Sequence, residues 1–147
     1  KDWITLEAIP NPQPFNLEAR EYPGFITDLQ PPATAYLATV HGTSLVSDRV
    51  YPDRFTHASE LARMGAEVTL KDRTLVIQGR RLTGAAVEAR DIRAGGGLII
   101  AALAAEGDSH ITGLQYIERG YDDIANRLRS LGAQVGVQHP ELALAAD

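Results

Sequence analysis

The sequence repeats itself. Leu17-Glu18-Ala19-Arg20 returns as Val87-Glu88-Ala89-Arg90, and Asp28-Leu29-Gln30-Pro31 as Asp91-Ile92-Arg93-Ala94. His41-Gly42-Thr43-Ser44 returns as Glu106-Gly107-Asp108-Ser109, and Asp53-Arg54-Phe55 as Glu118-Arg119-Gly120-Tyr121. Met64-Gly65-Ala66-Glu67-Val68 returns as Leu131-Gly132-Ala133-Gln134-Val135. From Asp28 to Asp91 is 63 residues, from His41 to Glu106 and from Asp53 to Glu118 65, and from Met64 to Leu131 67. A period of that length is one supersecondary unit used twice, and it restricts the fold more than any composition does.

Periodicity identifies the unit. Val68 and Leu70, then Leu75 and Ile77, alternate with polar residues on either side of Lys71-Asp72-Arg73, which reads as a hairpin. Residues 86–89 read as a strand. Residues 94–105 read as a helix, apolar on nearly every face and therefore expected to be buried, with Gly107 ending it. Residues 110–112 read as a short strand. Tyr121, Ile124, Leu128 and Leu131 fall at helical spacing, with Asp122 and Asp123 near the start and Arg127 and Arg129 near the end, as a helix dipole favours. Gly132 is the expected C′ residue of that helix, and 134–138 reads as a closing strand. The earlier copy parses alike: strand 17–20, helix 32–40 with a proline in its first turn, strand 45–48, and helix 55–64 capped by Gly65. The common unit is βαβαββ, and the fold class is α/β (α+β).

The alternation at residues 3–8, followed by a proline-rich link, matches 74–79 followed by its own link. Residues 3–8 are therefore expected to be the last strand of a preceding unit. With Lys1 in place of an initiating methionine, this suggests a carboxy-terminal portion of a longer protein. The expected organisation is a hairpin tail over 1–20, one repeat over 21–80, a second over 81–138 and a tail over 139–147.

At 147 residues, such a chain can bury roughly two thirds of its surface. Its net charge of −5 argues against a general nucleic-acid binder, which needs a basic excess. With no cysteine there is neither a disulfide nor a thiolate metal site. The four histidines, His41, His57, His110 and His139, are too scattered for a metal centre. No signal peptide is visible, and the longest apolar run, 98–105, is far short of the ~20 residues that span a bilayer. A soluble cytoplasmic protein without metal or cofactor is expected.

The two copies are not identical. Between Arg20 and Asp28 the first inserts Glu21-Tyr22-Pro23-Gly24-Phe25-Ile26-Thr27. Pro-Gly is turn chemistry, and the insert delivers Asp28 to a loop position before a helix. Asp28 is either an N-cap or a functional carboxylate. Asp91 occupies the equivalent place, followed by Arg93 and by Gly95-Gly96-Gly97. Those glycines either let an anion approach the helix N-terminus or serve close packing. Arg54 and Arg119 stand at matching positions, where two guanidiniums could converge on one phosphate or carboxylate. The residues alone give an α/β repeat domain fit for a small anionic ligand, and no reaction.

The stretch Tyr22-Pro23-Gly24-Phe25-Ile26-Thr27-Asp28-Leu29-Gln30-Pro31 carries a more specific signal. Asp53-Arg54-Phe55, His57 to Ala66, Asp91-Ile92-Arg93-Ala94, Arg119-Gly120-Tyr121 and Leu128 to Ala133 add to it. From about Leu17 to Val137 the chain resembles the carboxy-terminal half of the UDP-N-acetylglucosamine 1-carboxyvinyltransferase family. The resemblance implies two domains, each of three βαβαββ units arranged as an inside-out barrel with helices inside and sheets outside. It implies transfer of the enolpyruvyl group of phosphoenolpyruvate to the 3′-hydroxyl of UDP-N-acetylglucosamine with release of phosphate. That reaction opens peptidoglycan synthesis, and so serves cell wall biogenesis, cell shape and cell division.

By that likeness Asp28 meets the sugar's 3′-hydroxyl and is the base for its proton, or else an anchor for the sugar. Val50 lines the UDP-sugar site. Arg93 and Arg119 neutralise the phosphate and carboxylate of phosphoenolpyruvate, Asp91 assists proton transfer, and Arg54 supports the pocket. The implied partners are the two substrates and the rest of a parent chain, without nucleic acid or membrane. Two departures stand out. Gly95-Gly96 replaces the family's small residues, and the family's cysteine loop and phosphoenolpyruvate-binding lysine have no counterpart here. The 147 residues alone are therefore expected not to catalyse. The competing readings are a non-catalytic nucleotide-sugar or protein-binding module of the same fold, a 3-phosphoshikimate enolpyruvyl transferase, and an RNA 3′-phosphate cyclase.

Overall fold

The computed structural model describes residues 3–138. The first unit is complete. Its strands are β1 (Leu17–Ala19), β2 (Gly42–Asp48), β3 (Glu67–Lys71) and β4 (Thr74–Gly79), and its helices α1 (Gln30–Thr39) and α2 (Thr56–Arg63). The four strands form one sheet in the order β1-β2-β4-β3. β1 and β2 run parallel, Leu17 facing Val46, so a crossover must join them, and α1 supplies it. The other pairs are antiparallel: Ser44 faces Ile77, and Val68 faces Ile77 from the other side. Between β3 and β4 only Asp72 and Arg73 turn the chain, at φ 47° and 62°, the double left-handed geometry that suits hairpin twist.

The second unit repeats the first in part. β5 (Ala86–Glu88) pairs in parallel with β6 (His110–Thr112) across α3 (Ile92–Ala104), and α4 (Leu114–Glu118) and α5 (Ile124–Ser130) follow. Helices fill the middle: α1 touches β2 and β4 on one side and α3 on another, while α3 also meets α2 and α4. Leu37, Val46, Leu61, Met64, Leu75, Ile77, Leu82 and Leu98 join in one buried cluster. Each such side chain contributes about 1.5–3 kcal/mol by leaving water. The repeat also shows in the helix ends. After α2 and after α5 a left-handed glycine, Gly65 (φ 86°) and Gly132 (φ 96°), lets the next amide return to the helix. Ala66 N–H reaches Leu61 O at 3.0 Å and Ala133 N–H reaches Leu128 O at 3.1 Å.

Several expectations fail for physical reasons. Residues 3–8 are not a strand. No described strand pairs with them, and Trp3, Ile4 and Leu6 are 81%, 89% and 91% exposed. Residues 134–138 are not a strand either; β3 exists through its ladder with β4, and no described strand offers 134–138 the same. Residues 17–19, placed above within a hairpin tail, pair with β2 and belong to the first unit. The helix read over 121–131 begins only at Ile124. Gly120 lies against Ile92 and Tyr121 against Gly96, and Asp123 turns left-handed (φ 49°) before the helix can start. The run 94–105 is not buried all round: Ile100 and Leu103 are 37% and 48% exposed.

The glycine triplet is a packing device. A Cβ on Gly95 would strike Ile117, one on Gly96 the Tyr121 ring, and one on Gly97 the Pro31 carbonyl oxygen, at 2.9 Å. At Gly97 the obstacle is backbone, so α1 and α3 must separate to admit a side chain. Gly97→Val is expected to cost about 2 kcal/mol, the scale of overpacking. Equilibrium urea unfolding checks this. Gly136→Ala, where a Cβ meets nothing within 4 Å, serves as the neutral reference.

Candidate functional site

Asp28 does not cap α1. It sits in a single 3-10 turn, Thr27–Leu29, and Leu29 is the N-cap without any side-chain cap bond. A capping carboxylate accepts from the second or third helical amide, but Pro31 and Pro32 occupy those places and have no N–H. The Asp28 side chain turns instead to two arginines distant in sequence, Arg54 on the loop before α2 and Arg93 in the first turn of α3. Its Oδ1 accepts from Arg93 Nε and, at 3.2 Å, from Arg54 Nη1. The hydrogen bond from Arg93, with its charge and that of Arg54, holds the Asp28 carboxyl below the usual carboxylate range. The same bond pushes the Arg93 guanidinium up. Asp28 remains 49% exposed at the side chain, so an ionised carboxylate flanked by two guanidiniums faces solvent.

Close helix packing brings these groups together. α1 and α3 meet where Gly97 admits the Pro31 backbone, so the N-terminal ends of both helices lie side by side. Asp28 precedes one, and Arg93 stands in the first turn of the other. Asp91 is the N-cap of α3, its Oδ1 accepting from Arg93 N–H (2.8 Å) and Ala94 N–H (2.9 Å). The equivalent aspartates of the two copies have thus diverged: Asp91 caps, and Asp28 pairs with arginines.

Arg54 is the more fixed of the two guanidiniums. Its side chain is 16% exposed, lies over the Tyr51 ring at 3.9 Å from the centroid, and donates to Thr27 Oγ1 at 2.8 Å. Arg119 is not in the hydrogen-bonded cluster. It is exposed at the C-cap of α4, and its neighbour Gly120 packs on Ile92, next to Arg93. Val50 follows β2, half-buried, its N–H donating to Asp48 Oδ1 at 2.9 Å. With Arg20, Glu21 and Arg49 it lines an open groove; two of those arginines pair with Glu18, which accepts from Arg49 at 2.7 Å and also pairs with Arg20.

Two residues of this neighbourhood were missed in the sequence, Asp48 and Thr27. The signal for Asp48 was strand phase: Ser44, Val46 and Asp48 share one face of β2, and Val46 is core, so Asp48 had to point inward. Thr27 carried no comparable signal. The apolar cleft lined by Ile99, Leu103, Ile117 and Leu128 includes none of the cluster's charged groups. Among the described residues no histidine or carboxylate group is arranged to hold a metal, and no helix is long and apolar enough to cross a membrane.

A carboxylate poised among arginines, where the N-terminal ends of two packed helices meet, suits a ligand with a hydroxyl and an anionic group. A profile of the EPSP synthase (3-phosphoshikimate 1-carboxyvinyltransferase) family matches residues 1–128. The chain belongs to that family. Within the EPSP synthase family its sequence is 63% identical over 147 residues to UDP-N-acetylglucosamine 1-carboxyvinyltransferase of Thermus thermophilus, covering all of this chain and 35% of the relative. It is 53% identical to the protein of that name from Deinococcus radiodurans, over 92% of this chain and 31% of the relative. The chain thus spans about a third of the length of these relatives. Among solved structures, the enolpyruvyl transferase NikO from Streptomyces tendae superposes with a TM-score of 0.77 at 29% identity, covering 86% of this chain and 30% of that one. EPSP synthase from Acinetobacter baumannii, at 20% identity and a TM-score of 0.59, shares the fold over 76% of this chain and 27% of its own. The α/β class read from the repeat is therefore the fold of the EPSP synthase family.

Proposed function

We propose that this chain is the carboxy-terminal part of a cytoplasmic enzyme that moves the enolpyruvyl group of phosphoenolpyruvate to the 3′-hydroxyl of UDP-N-acetylglucosamine, releasing phosphate. The step would open peptidoglycan synthesis. The two units would be two of the three repeats of one domain, the rest of a parent chain completing the site. The observation that carries the reading is Asp28, an ionised carboxylate held between Arg93 and Arg54 on the edge of two packed helices. High identity to relatives named for this activity supports the choice of sugar nucleotide over phosphoshikimate.

The roles are those the family resemblance implies, and the chemistry suits them. Addition of the hydroxyl across the double bond of phosphoenolpyruvate forms the O–C2 bond, needs a proton at C3 from an acid in the rest of the parent chain, and requires loss of the hydroxyl proton, which Asp28 would accept; elimination then returns the C3 proton as phosphate leaves. The tetrahedral intermediate carries phosphate and carboxylate, which Arg93 and Arg119 neutralise, with Arg54 behind them. Val50 bounds the sugar nucleotide. Asp91, whose Oδ1 fixes the α3 N-terminus, orients Arg93 through that cap and assists proton transfer.

Full-length protein containing this chain should release phosphate from phosphoenolpyruvate with UDP-N-acetylglucosamine and not with 3-phosphoshikimate. The isolated 147 residues should release none. Phosphate release driven only by 3-phosphoshikimate would overturn the choice of acceptor. Sugar-nucleotide binding by full-length protein without turnover would favour a non-catalytic module.

A further inference from the structure

The buried carboxylate of Asp48 has no place in the reaction described above, and its surroundings are unusually complete. It is 3% exposed on the core face of β2. Its Oδ1 accepts from Val50 N–H at 2.9 Å and Tyr51 N–H at 2.7 Å, and its Oδ2 accepts from the Thr27 hydroxyl. The Thr27 oxygen in turn accepts from Arg54 Nη1, and the same nitrogen reaches Asp28 Oδ1 at 3.2 Å. Arg54 N–H closes the loop onto Tyr51 O at 3.0 Å, and its guanidinium lies on the Tyr51 ring.

The direction of each bond is forced. A guanidinium only donates and a carboxylate only accepts, so the one Thr27 proton must point to Asp48 and its lone pair to Arg54. Both oxygens of Asp48 are occupied by the protein, one on the loop that carries Val50, Tyr51 and Arg54 and one on the residue before Asp28. We propose that Asp48 and Thr27 are positioning residues, a part-buried relay that sets Arg54 and the Val50–Tyr51 backbone relative to the Asp28 carboxylate. The relay rests on the reading of Asp28 as the base.

The relay makes two isosteric changes informative. Thr27→Val keeps the shape and removes the hydroxyl, leaving Arg54 without its lateral acceptor. Asp48→Asn can offer Thr27 an N–H₂ where a carboxylate oxygen stood, which turns the hydroxyl proton toward an arginine that cannot accept it. In full-length protein both are expected to lower kcat roughly tenfold to a hundredfold, the scale of small misplacements of reacting groups. Both should also move the acid limb of the kcat profile to higher pH. Arg54 is one of the two charges that favour ionised Asp28, and when it swings away the carboxyl needs a higher pH to ionise. Thr27→Ser, which keeps the hydroxyl, should restore the acid limb and most of kcat.

A merely structural role would lower the melting temperature without moving the acid limb. Melting curves of all three variants make that distinction. Folded Thr27→Val and Asp48→Asn proteins with the parent's kcat and acid limb would refute the relay. So would a Thr27→Ser protein as impaired as Thr27→Val. Asp28→Asn run in parallel separates the two ideas: if it retains turnover, the base reading fails, whereas if it is inactive beside unaffected relay variants, only the relay fails.

Discussion

Asp28→Asn in the full-length protein is expected to lower kcat by about 10²–10⁴-fold, the usual contribution of a positioned general base. The substitution is nearly isosteric and leaves an oxygen that can still accept from Arg93 or Arg54, so local geometry should survive. What it removes is the charge and the ability to take a proton. The measured pair, kcat and the affinity for UDP-N-acetylglucosamine, then separates base from anchor. Loss of kcat with affinity changed less than about tenfold identifies a base. Loss of affinity with kcat intact identifies an anchor and sinks the base. The flanking arginines add a further feature. By holding the carboxyl below its ordinary range they keep Asp28 ionised, which also weakens it as a base. A phosphate or carboxylate that drew Arg93 toward itself would return Asp28 toward ordinary basicity as the second substrate arrived, so proton removal would await a complete site.

The residues that made the fold legible are those with strict local consequences. Alternation at Val68, Leu70, Leu75 and Ile77 gave the hairpin, and Gly65 and Gly132 marked both helix ends. What stayed illegible depended on partners far away in sequence. Residues 3–8 and 134–138 alternate well enough, but a strand is made by its neighbour, and none of the described strands pairs with them. The break before Ile124 comes from contacts of Gly120 and Tyr121 with α3, some thirty residues back. In the site, position in the repeat named Asp28, Arg54, Asp91 and Arg93. It could not say which aspartate caps, although the prolines after Leu29 held that answer. It gave no sign of the Asp28–Arg93 pair, 65 residues apart, because that contact exists only through the packing of α1 on α3.

The second large effect is on stability, and its source is His57. This side chain is buried on α2, and neither ring nitrogen has a hydrogen-bond partner among the described residues. Burial disfavours the imidazolium more than the nearby Asp91 favours it, and the ring is pushed down from 6.5 to about 4. At pH 7 it is neutral in the folded chain and mostly neutral in the unfolded one, so its effect on pH dependence there is small. As the pH falls below 6.5 the unfolded chain takes up a proton that the folded chain refuses until about pH 4, so stability is lost across that window. The loss is about 1.4 kcal/mol for each tenfold rise in proton activity, about 3 kcal/mol in all. Asp28 and Glu18 are both held below ordinary values of 3.8 and 4.5, and their contributions are lost only as the pH falls further. Urea unfolding at pH 7 and at pH 4.5 should therefore show a steep loss, and His57→Leu should flatten it. The same substitution removes two unpaired buried nitrogens, so at pH 7 the variant should be at least as stable as the parent. An equally steep loss in the variant would show that protonation elsewhere drives acid unfolding.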